Sequence, residues 1–176
     1  MENKLKKAIM TLAILIGLFA INNSFQKNYS STLSSLLNID ENNILKIVIS
    51  SKEDAIELMK ADTSWVISGN DTLIVKQDVI ENLFNKIQQL EKQHLVTSKK
   101  DNWSNYGVSD NDGTHLAFIN LDGLTVAYYV FGQSKEEYNR CYVRTEKDTD
   151  VYLLNDNILY QLQVNPNFWG TKIIAE

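Results

Sequence analysis

The sequence predicts an α+β domain built mainly from antiparallel sheet, a meander plus two hairpins. One long amphipathic helix and a short C-terminal helix pack on this sheet, and an N-terminal membrane or signal helix precedes it. Three observations support this. Short β-branched apolar runs alternate with turn residues at hairpin spacing. One stretch between them repeats its apolar residues on a 3.6-residue period. The first 25 residues have the pattern of an export signal.

Composition narrows the class of protein. The chain has 176 residues, enough for one domain plus an anchor, and its 44% apolar and 22% charged content is typical of a folded domain. A single cysteine, Cys141, excludes an internal disulfide framework and a multi-cysteine metal site. The net charge of −5 and the lack of a basic stripe argue against nucleic acid as a partner. They also argue against docking of the body on anionic lipid.

The N-terminus has the three parts of an export signal. A lysine-rich segment, Lys4 to Lys7, precedes an apolar stretch from Ala8 to Ile21, and the polar residues 22–24 end it. The stretch is shorter than the roughly 20 residues of a comfortable membrane span. A poor cleavage site favours an uncleaved anchor, while a cleaved signal and a buried N-terminal helix stay open. Because lysines stay on the cytoplasmic side, residues 22–176 are expected outside the cytoplasmic membrane.

These features divide the chain into four parts. Residues 1–25 are the signal anchor or signal peptide, with membrane contact through residues 5–25, and residues 26–38 are a tether rich in Asn and Ser. Residues 39–170 are the single α+β domain, and residues 171–176 are a tail.

The body begins with a predicted three-stranded meander. Ile44–Ser50 is β-branched and apolar, which suits a strand. Ala55–Lys60 is interpreted as the second strand, although residues 52–61 alone would also fit a short helix. Ser64–Ser68 follows at hairpin spacing and places Trp65 and Ile67 on one face.

The central helix is predicted from Lys76 to about His94, with Leu95–Val96 leaving it as a short extended piece. Asp78 is a candidate N-cap with Glu81 three residues later, as in a capping box. The side of the helix that faces solvent is polar, and the opposite side is expected to pack against the sheet. Its apolar stripe consists of Ile80, Leu83, Phe84, Ile87 and Leu90.

Beyond a polar loop over residues 98–112, two hairpins are predicted. His115–Leu121 and Leu124–Phe131 flank an Asp-Gly turn, which is a strong hairpin signal. Arg140–Thr145 and Asp150–Leu154 form the second hairpin.

The last predicted element is the short C-terminal helix. Asn155 or Asp156 would cap it, and it would run to Val164 and stop before Pro166.

The order of several motifs resembles the bacterial family called domain of unknown function 4340. The resemblance covers about residues 36–170 and implies a membrane-anchored envelope protein, often encoded beside ABC-type transporter or gliding-motility components. It implies no catalytic residues. Its motifs in this sequence are Ile-x-Ile and Trp-x-Ile strands, the helix Ile80–Leu90, Asn105-Tyr106-Gly107-Val108, Phe131-Gly132, Tyr142-Val143-Arg144 and Val151-Tyr152-Leu153.

Residues capable of acid, base or metal chemistry stand apart in the sequence. His94 is expected at the helix end, where a cation suits the dipole, and His115 on a solvated sheet edge. Asp110 and Asp112 are part of a turn that lacks the further ligands of a calcium loop. Cys141 alternates with a tyrosine and is expected to point inward. The sequence therefore predicts no catalytic residue, no metal site and no cofactor.

Arginine and tyrosine side chains on neighbouring strands form the candidate interaction surface for protein or glycan. The alternative is a cross-strand ladder of Tyr and Arg on the wet face of the sheet. The 98–112 loop is the other candidate region, because a loop of that length usually has its own packing or a function. The candidate residues are Trp103, Tyr106, Arg140, Tyr142 and Arg144.

Two functions of different classes follow. The favoured hypothesis is a non-enzymatic, membrane-anchored extracytoplasmic accessory domain with an envelope protein partner, such as a transporter component. The alternative is a secreted or periplasmic ligand-binding module with a cleaved signal and a pocket under the 98–112 loop.

Overall fold

A computed structural model describes residue 36 and residues 39–52, 54–146 and 148–172. The described chain contains ten strands, two α-helices and two 3-10 helices. The strands are β1 (Ile44–Ser51), β2 (Asp54–Ala61), β3 (Ser64–Ile67), β4 (Leu73–Val75), β5 (Lys92–Thr97), β6 (Thr114–Asn120), β7 (Thr125–Gln133), β8 (Cys141–Thr145), β9 (Val151–Leu154) and β10 (Gly170–Lys172). The helices are α1 (Gln77–Gln88) and α2 (Pro166–Trp169), and the 3-10 helices are Glu41–Asn43 and Lys100–Tyr106.

Eight strands form one sheet in the order β3-β2-β1-β6-β7-β8-β9-β5, and every neighbouring pair is antiparallel. Strands β4 and β10 pair separately. The predicted α+β class, the meander and the two hairpins are confirmed. The predicted N-terminal helix lies outside the described residues. Within the described ranges, no helix is long and apolar enough to cross a membrane.

The larger core lies between α1 and one face of the sheet. Ile80, Leu83, Phe84 and Ile87 are buried there, as the stripe predicts, and Leu90 is buried just beyond the helix. The sheet contributes alternate residues of each strand, since successive side chains point to opposite faces. These residues include Ile47, Ile49, Leu58, Trp65, Ile67, Leu116, Phe118, Phe131 and Val143.

A second, smaller core lies on the opposite face of the same sheet. Trp103 and Val108 from the 98–112 loop pack against Val130 and Val151. The loop that follows β5 therefore has its own packing. It covers the β7-β8-β9-β5 half of the sheet and also reaches His115 on β6. Burial of Trp103 and Val108 holds this mostly polar loop against the sheet.

The predicted N-cap of the central helix is wrong. Lys76 occupies the cap position with no side-chain capping bond, and Asp78 lies inside the first turn. The β4–β10 pairing ends at Val75, and the Lys76 N–H donates to the carbonyl of Trp169 (2.8 Å), so the chain turns into the helix two residues early. Asp78 still favours the helix through the macrodipole.

The predicted helix is also too long. It ends at Gln88, and His94 lies in β5, which pairs with β9 at the sheet edge. The predicted role of His94 at a helix C-terminus is therefore wrong. The backbone of Lys92–Thr97 forms hydrogen bonds with β9, and this tertiary pairing overrides the local helix propensity of the segment.

The short C-terminal helix is present, but not at residues 155–164. Asn155 instead bonds the Glu91 N–H and the Gln89 carbonyl, and Asp156 pairs with Lys86, so neither side chain caps a helix. The helix is α2, with Pro166 at its first position and Asn165 accepting from the Asn167 N–H. Proline suits the first turn of a helix because its N–H is not needed there, so Pro166 begins this helix and does not only end the preceding segment.

Residues just outside both predicted domain boundaries form hydrogen bonds with the domain. Leu36, assigned to the tether, is buried, and its N–H donates to the Leu90 carbonyl (2.9 Å). At the other end the predicted boundary at residue 170 falls inside β10, because Thr171 and Lys172 pair with β4.

Candidate functional site

Arg144 is the centre of the candidate site, and it lies in the second core. Its side chain is only 4% exposed, whereas Asp110, its ion-pair partner, is 69% exposed. The Arg144 Nε donates to the carbonyl of Val108 (2.6 Å), and Nη2 pairs with the Asp110 carboxylate. A planar guanidinium can make both bonds at once because its donors form a rigid fork. Arg144 therefore fastens the loop to the sheet.

Trp103 lies against the same arginine. The Arg144 Cζ is 3.9 Å from the centre of its ring, and the Lys100 Nζ is 5.1 Å from that centre. The indole Nε1 donates to the carbonyl of Thr149 (3.0 Å), in the β8–β9 turn. A buried tryptophan needs such a partner for its N–H. Trp103 thus holds the loop to two parts of the sheet.

Tyr106 of the loop contacts Tyr142 of β8. Their ring centres are 4.9 Å apart at an interplanar angle of 70°, an edge-to-face contact. Both side chains are half-buried, so part of each ring faces solvent. Of the five predicted residues, four are brought together: Trp103, Tyr106, Tyr142 and Arg144.

Gly132 allows the backbone of the loop to lie close to β7. Gly132 pairs with Tyr142 in the β7–β8 ladder, and a Cβ on Gly132 would lie 2.0 Å from the carbonyl oxygen of Tyr106. Gly107 ends the 3-10 helix with a left-handed φ of +64°, which suits glycine. The backbone of the loop therefore rests directly on β7.

Arg140 is the predicted residue that the structure does not bring into this group. It lies just before β8 and forms an ion pair with Glu137, Nε to Oε2 3.2 Å. The predicted ladder of Tyr and Arg on a wet face does not describe Arg144 either, because the loop covers that part of the sheet.

His115 is not on a sheet edge as predicted, because β6 lies between β1 and β7. Its Nε2 is 3.0 Å from the carbonyl of Asp110, which can only accept, so Nε2 carries a proton. Its Nδ1 is 2.5 Å from the Tyr128 hydroxyl. Burial raises the pKa of Tyr128, so this hydroxyl stays protonated and can donate to the ring nitrogen. Both ring nitrogens are engaged in packing the turn at Asp110.

Cys141 points inward, as predicted. It is fully buried, and burial raises the pKa of its thiol to about 12. Cys141 and Leu116 both belong to the core under α1, while His115 points to the other face from the adjacent position on β6. The thiol and the imidazole are therefore on opposite sides of the sheet and cannot form a nucleophile and base pair.

The space under the 98–112 loop, where a pocket was expected, is filled by the second core. A shallow open depression of about 210 Å³ lies elsewhere, over the start of β7 and the end of β8. It is smaller than typical ligand pockets. Across the described ranges, no group of three or more His, Cys, Asp or Glu is placed to hold a metal ion.

Sequence reasoning missed two members of this arrangement. The sequence pattern places Asp110 in a turn and Gly132 in a motif, and neither pattern predicts a contact with Arg144 or Tyr106. The available signal was the set of motif segments. In the structure Asn105–Val108, Phe131–Gly132 and Tyr142–Arg144 contact one another.

Fold and site thus define an α+β domain whose single large sheet carries α1 on one face and a motif-bearing loop on the other. The chain belongs to the family described as domain of unknown function 4340 (DUF4340), whose model matches residues 65–176. The match begins in β3 and includes α1 and every motif of the second core. No curated protein and no solved structure matches the chain.

Proposed function

We propose that this protein is a non-enzymatic accessory domain, anchored in the cytoplasmic membrane and facing outward, that works through contacts with another envelope protein. The partner we propose is a component of an ABC-type transporter or of a gliding-motility-like complex. The observation that carries the proposal is the N-terminal pattern of three lysines followed by the apolar stretch from Ala8 to Ile21.

The side chains that could take part in acid, base or nucleophilic chemistry are used for packing, which supports a non-enzymatic role. Arg144, Asp110 and His115 hold the 98–112 loop in place, and Cys141 is buried with a raised pKa. Catalytic groups need a cleft and a reacting partner within hydrogen-bond reach, whereas these groups reach backbone or one another.

The partner surface we propose is the solvent-facing side of the Tyr106–Tyr142 pair, and Arg140, which lies outside this group just before β8, is a second candidate contact. Tyrosine and arginine are enriched at interface centres because they combine apolar area with hydrogen-bond donors. Trp103 and Arg144 support this surface from beneath without offering much area themselves, since both are buried.

Two measurements test the proposal. Fractionation of cells, followed by N-terminal sequencing, should find the full chain in the membrane with an intact start. A mature start near residues 21–26 in the soluble extracytoplasmic fraction would support the ligand-binding module instead.

Site-specific photo-crosslinking in cells tests the partner. A photoreactive residue at Tyr142 should capture one reproducible envelope protein, and the same residue at Ile74, which is 61% exposed on β4, should not. Failure to recover any reproducible partner from Tyr106, Arg140 and Tyr142 would contradict the proposal.

A further inference from the structure

Leu36 is held in the domain by contacts with two distant parts of the chain. Its N–H donates to the carbonyl of Leu90 (2.9 Å), just before β5, and its carbonyl accepts from the hydroxyl of Tyr129 (3.1 Å), in the middle of β7. Its side chain is buried and belongs to the main core. A single residue therefore uses its backbone donor, its backbone acceptor and its side chain to bind the domain.

Leu36 takes this place without the support of a regular element. It belongs to no strand or helix, and the first described element after it is the 3-10 helix Glu41–Asn43. A residue within a strand is also held by the ladder of bonds that its neighbours make to the same partner strand. The two bonds of Leu36 go to different segments, at Leu90 and Tyr129, and form no such ladder. Leu36 can therefore leave the domain without unpairing any strand of the sheet.

The domain keeps complementary polar groups for this residue. Tyr129 is buried, and among the described residues its hydroxyl bonds only the Leu36 carbonyl. Burial raises the pKa of Tyr129 to about 12, so the hydroxyl stays protonated and donates. Leu90 is fully buried, so its carbonyl needs a donor. Because a buried donor or acceptor without a partner costs free energy, these two groups favour an occupant that offers a backbone N–H and a carbonyl.

The Leu36 site is defined here as the Tyr129 hydroxyl, the Leu90 carbonyl and the apolar space that the Leu36 side chain fills. The hydroxyl and the carbonyl match the two backbone groups that almost every residue carries, and the apolar space selects an aliphatic side chain. Peptide-recognition domains divide the work in the same way, since main-chain hydrogen bonds give affinity and side-chain pockets give specificity. The chemistry of the Leu36 site is therefore that of a site for one residue of a peptide.

We propose that the Leu36 site is a peptide-binding site which the chain's own Leu36 occupies, and that a leucine or similar aliphatic residue in an extended segment of another protein binds there when Leu36 leaves. Leu36 is then an internal competitor for the site. Because the site lies within the domain, this role requires neither the proposed membrane anchor nor the surface around Tyr142.

A variant that vacates the site tests this role. Leu36→Pro removes both the N–H that bonds Leu90 and the leucine side chain, and it interrupts no strand or helix. The full chain is purified in detergent, and the probe is a fluorescent, end-capped peptide with the sequence of residues 33–39. Fluorescence anisotropy should show at least about tenfold tighter binding to Leu36→Pro than to the unmodified chain, because an internal competitor lowers the apparent affinity by the fraction of time that the site is free.

Two controls separate this site from a loosened core. Leu58→Ala opens space in the main core on β2, which β1 and β6 separate from β7, and it should not bind the peptide. A peptide with proline in place of Leu36 should not bind the Leu36→Pro chain. Binding of the probe to Leu58→Ala, or equal affinity for Leu36→Pro and the unmodified chain, would overturn the proposal.

Tyr129→Phe, added to Leu36→Pro, tests the hydroxyl donor. Loss of one buried hydrogen bond should weaken binding of the peptide about fivefold, and an unchanged affinity would contradict the place of Tyr129 in the site. If Leu36→Pro does not fold, Leu36→Ala keeps the backbone N–H and gives the same comparison through the side chain alone. Failure of both variants to fold would show that Leu36 is a fixed part of the core, and the proposal would then be wrong.

Discussion

The guanidinium carbon of Arg144 lies 3.9 Å from the centre of the Trp103 ring, although 41 positions separate the two residues in sequence. The arginine also binds the carbonyl of Val108 and the carboxylate of Asp110. One strand residue thus holds three points of a loop that has few apolar groups of its own. The second core should therefore lose stability when this side chain is changed.

Arg144→Lys should lower the free energy of unfolding by about 1–3 kcal/mol. A lysine ammonium cannot bond Val108, pair with Asp110 and stack on Trp103 together, so a buried polar group loses its partner. Urea unfolding followed by circular dichroism measures the change. Arg140→Lys is the matched control, and it should stay within about 0.5 kcal/mol because Arg140 forms only a partly exposed pair with Glu137. Equal effects in the two variants would contradict the role given to Arg144.

Phe84→Asp should destabilise the protein by about 3–5 kcal/mol or prevent folding, because it places an unpaired charge in the main core. Phe84 is 3% exposed and lies 5.8 Å from Phe118, centre to centre. Asn85→Asp adds the same charge one position later on the exposed face and should leave the melting temperature nearly unchanged.

A milder change keeps this test informative if the charged variant does not fold. Phe84→Leu retains an apolar side chain but leaves part of the site unfilled, and it should cost about 1–2 kcal/mol. An unchanged melting temperature in this variant would remove α1 from the core.

Gly132→Ala should cost about 2–3 kcal/mol, since the new methyl group would meet the backbone of Tyr106 and Gly107 and not a flexible side chain. The loss should come with a changed near-ultraviolet dichroism signal from the Tyr106–Tyr142 pair. Gly69→Ala is the comparison. Gly69 has a φ of +73° but open space around its Cβ, so this variant should cost about 1 kcal/mol from backbone strain alone. A smaller cost for Gly132→Ala than for Gly69→Ala would contradict the close approach.

Periodicity was sufficient to predict the core, because burial repeats every two residues in a strand and every 3.6 in a helix. The α1 stripe and the shared face of Trp65 and Ile67 followed from it directly. The Asp-Gly turn likewise predicted the β6–β7 hairpin, where Gly123 has the expected positive φ of +77°.

Contacts between distant residues could not be predicted in this way. Lys76 occupies the N-cap position of α1 because its N–H donates to the Trp169 carbonyl. Asn155 does not cap a helix because its side chain bonds Glu91 and Gln89. The sequence pattern predicts Arg144 on the surface, whereas in the structure Val108 and Asp110 of the loop cover it. Each of these depends on chain segments tens of residues away, which local propensity does not encode.

Lys86 and Asp156 form the ion pair that replaces the predicted cap of the C-terminal helix, and it should make stability depend on pH at the acid end. Burial alone would raise the pKa of Asp156, but the hydrogen bonds from Lys86 and from the Asn157 N–H outweigh it and hold that pKa below the usual 3.8. A carboxyl with a depressed folded pKa contributes stability that is complete above about pH 4. That contribution is lost as the pH falls through the lower, folded-state pKa.

Asp156→Asn should therefore reduce stability at pH 7 by about 0.5–1 kcal/mol, near the exposed-pair range because Asp156 is half exposed. It should also flatten the loss of stability between about pH 4 and pH 2 relative to the unmodified chain. Lys86→Met should remove the part of the acid-limb contribution that comes from Lys86, and adding Lys86→Met to Asp156→Asn should cause little further loss. Urea midpoints measured across this pH range give the slope. An unchanged slope in Asp156→Asn would contradict the depressed folded-state pKa of Asp156, and an unchanged slope in Lys86→Met would contradict the role of Lys86.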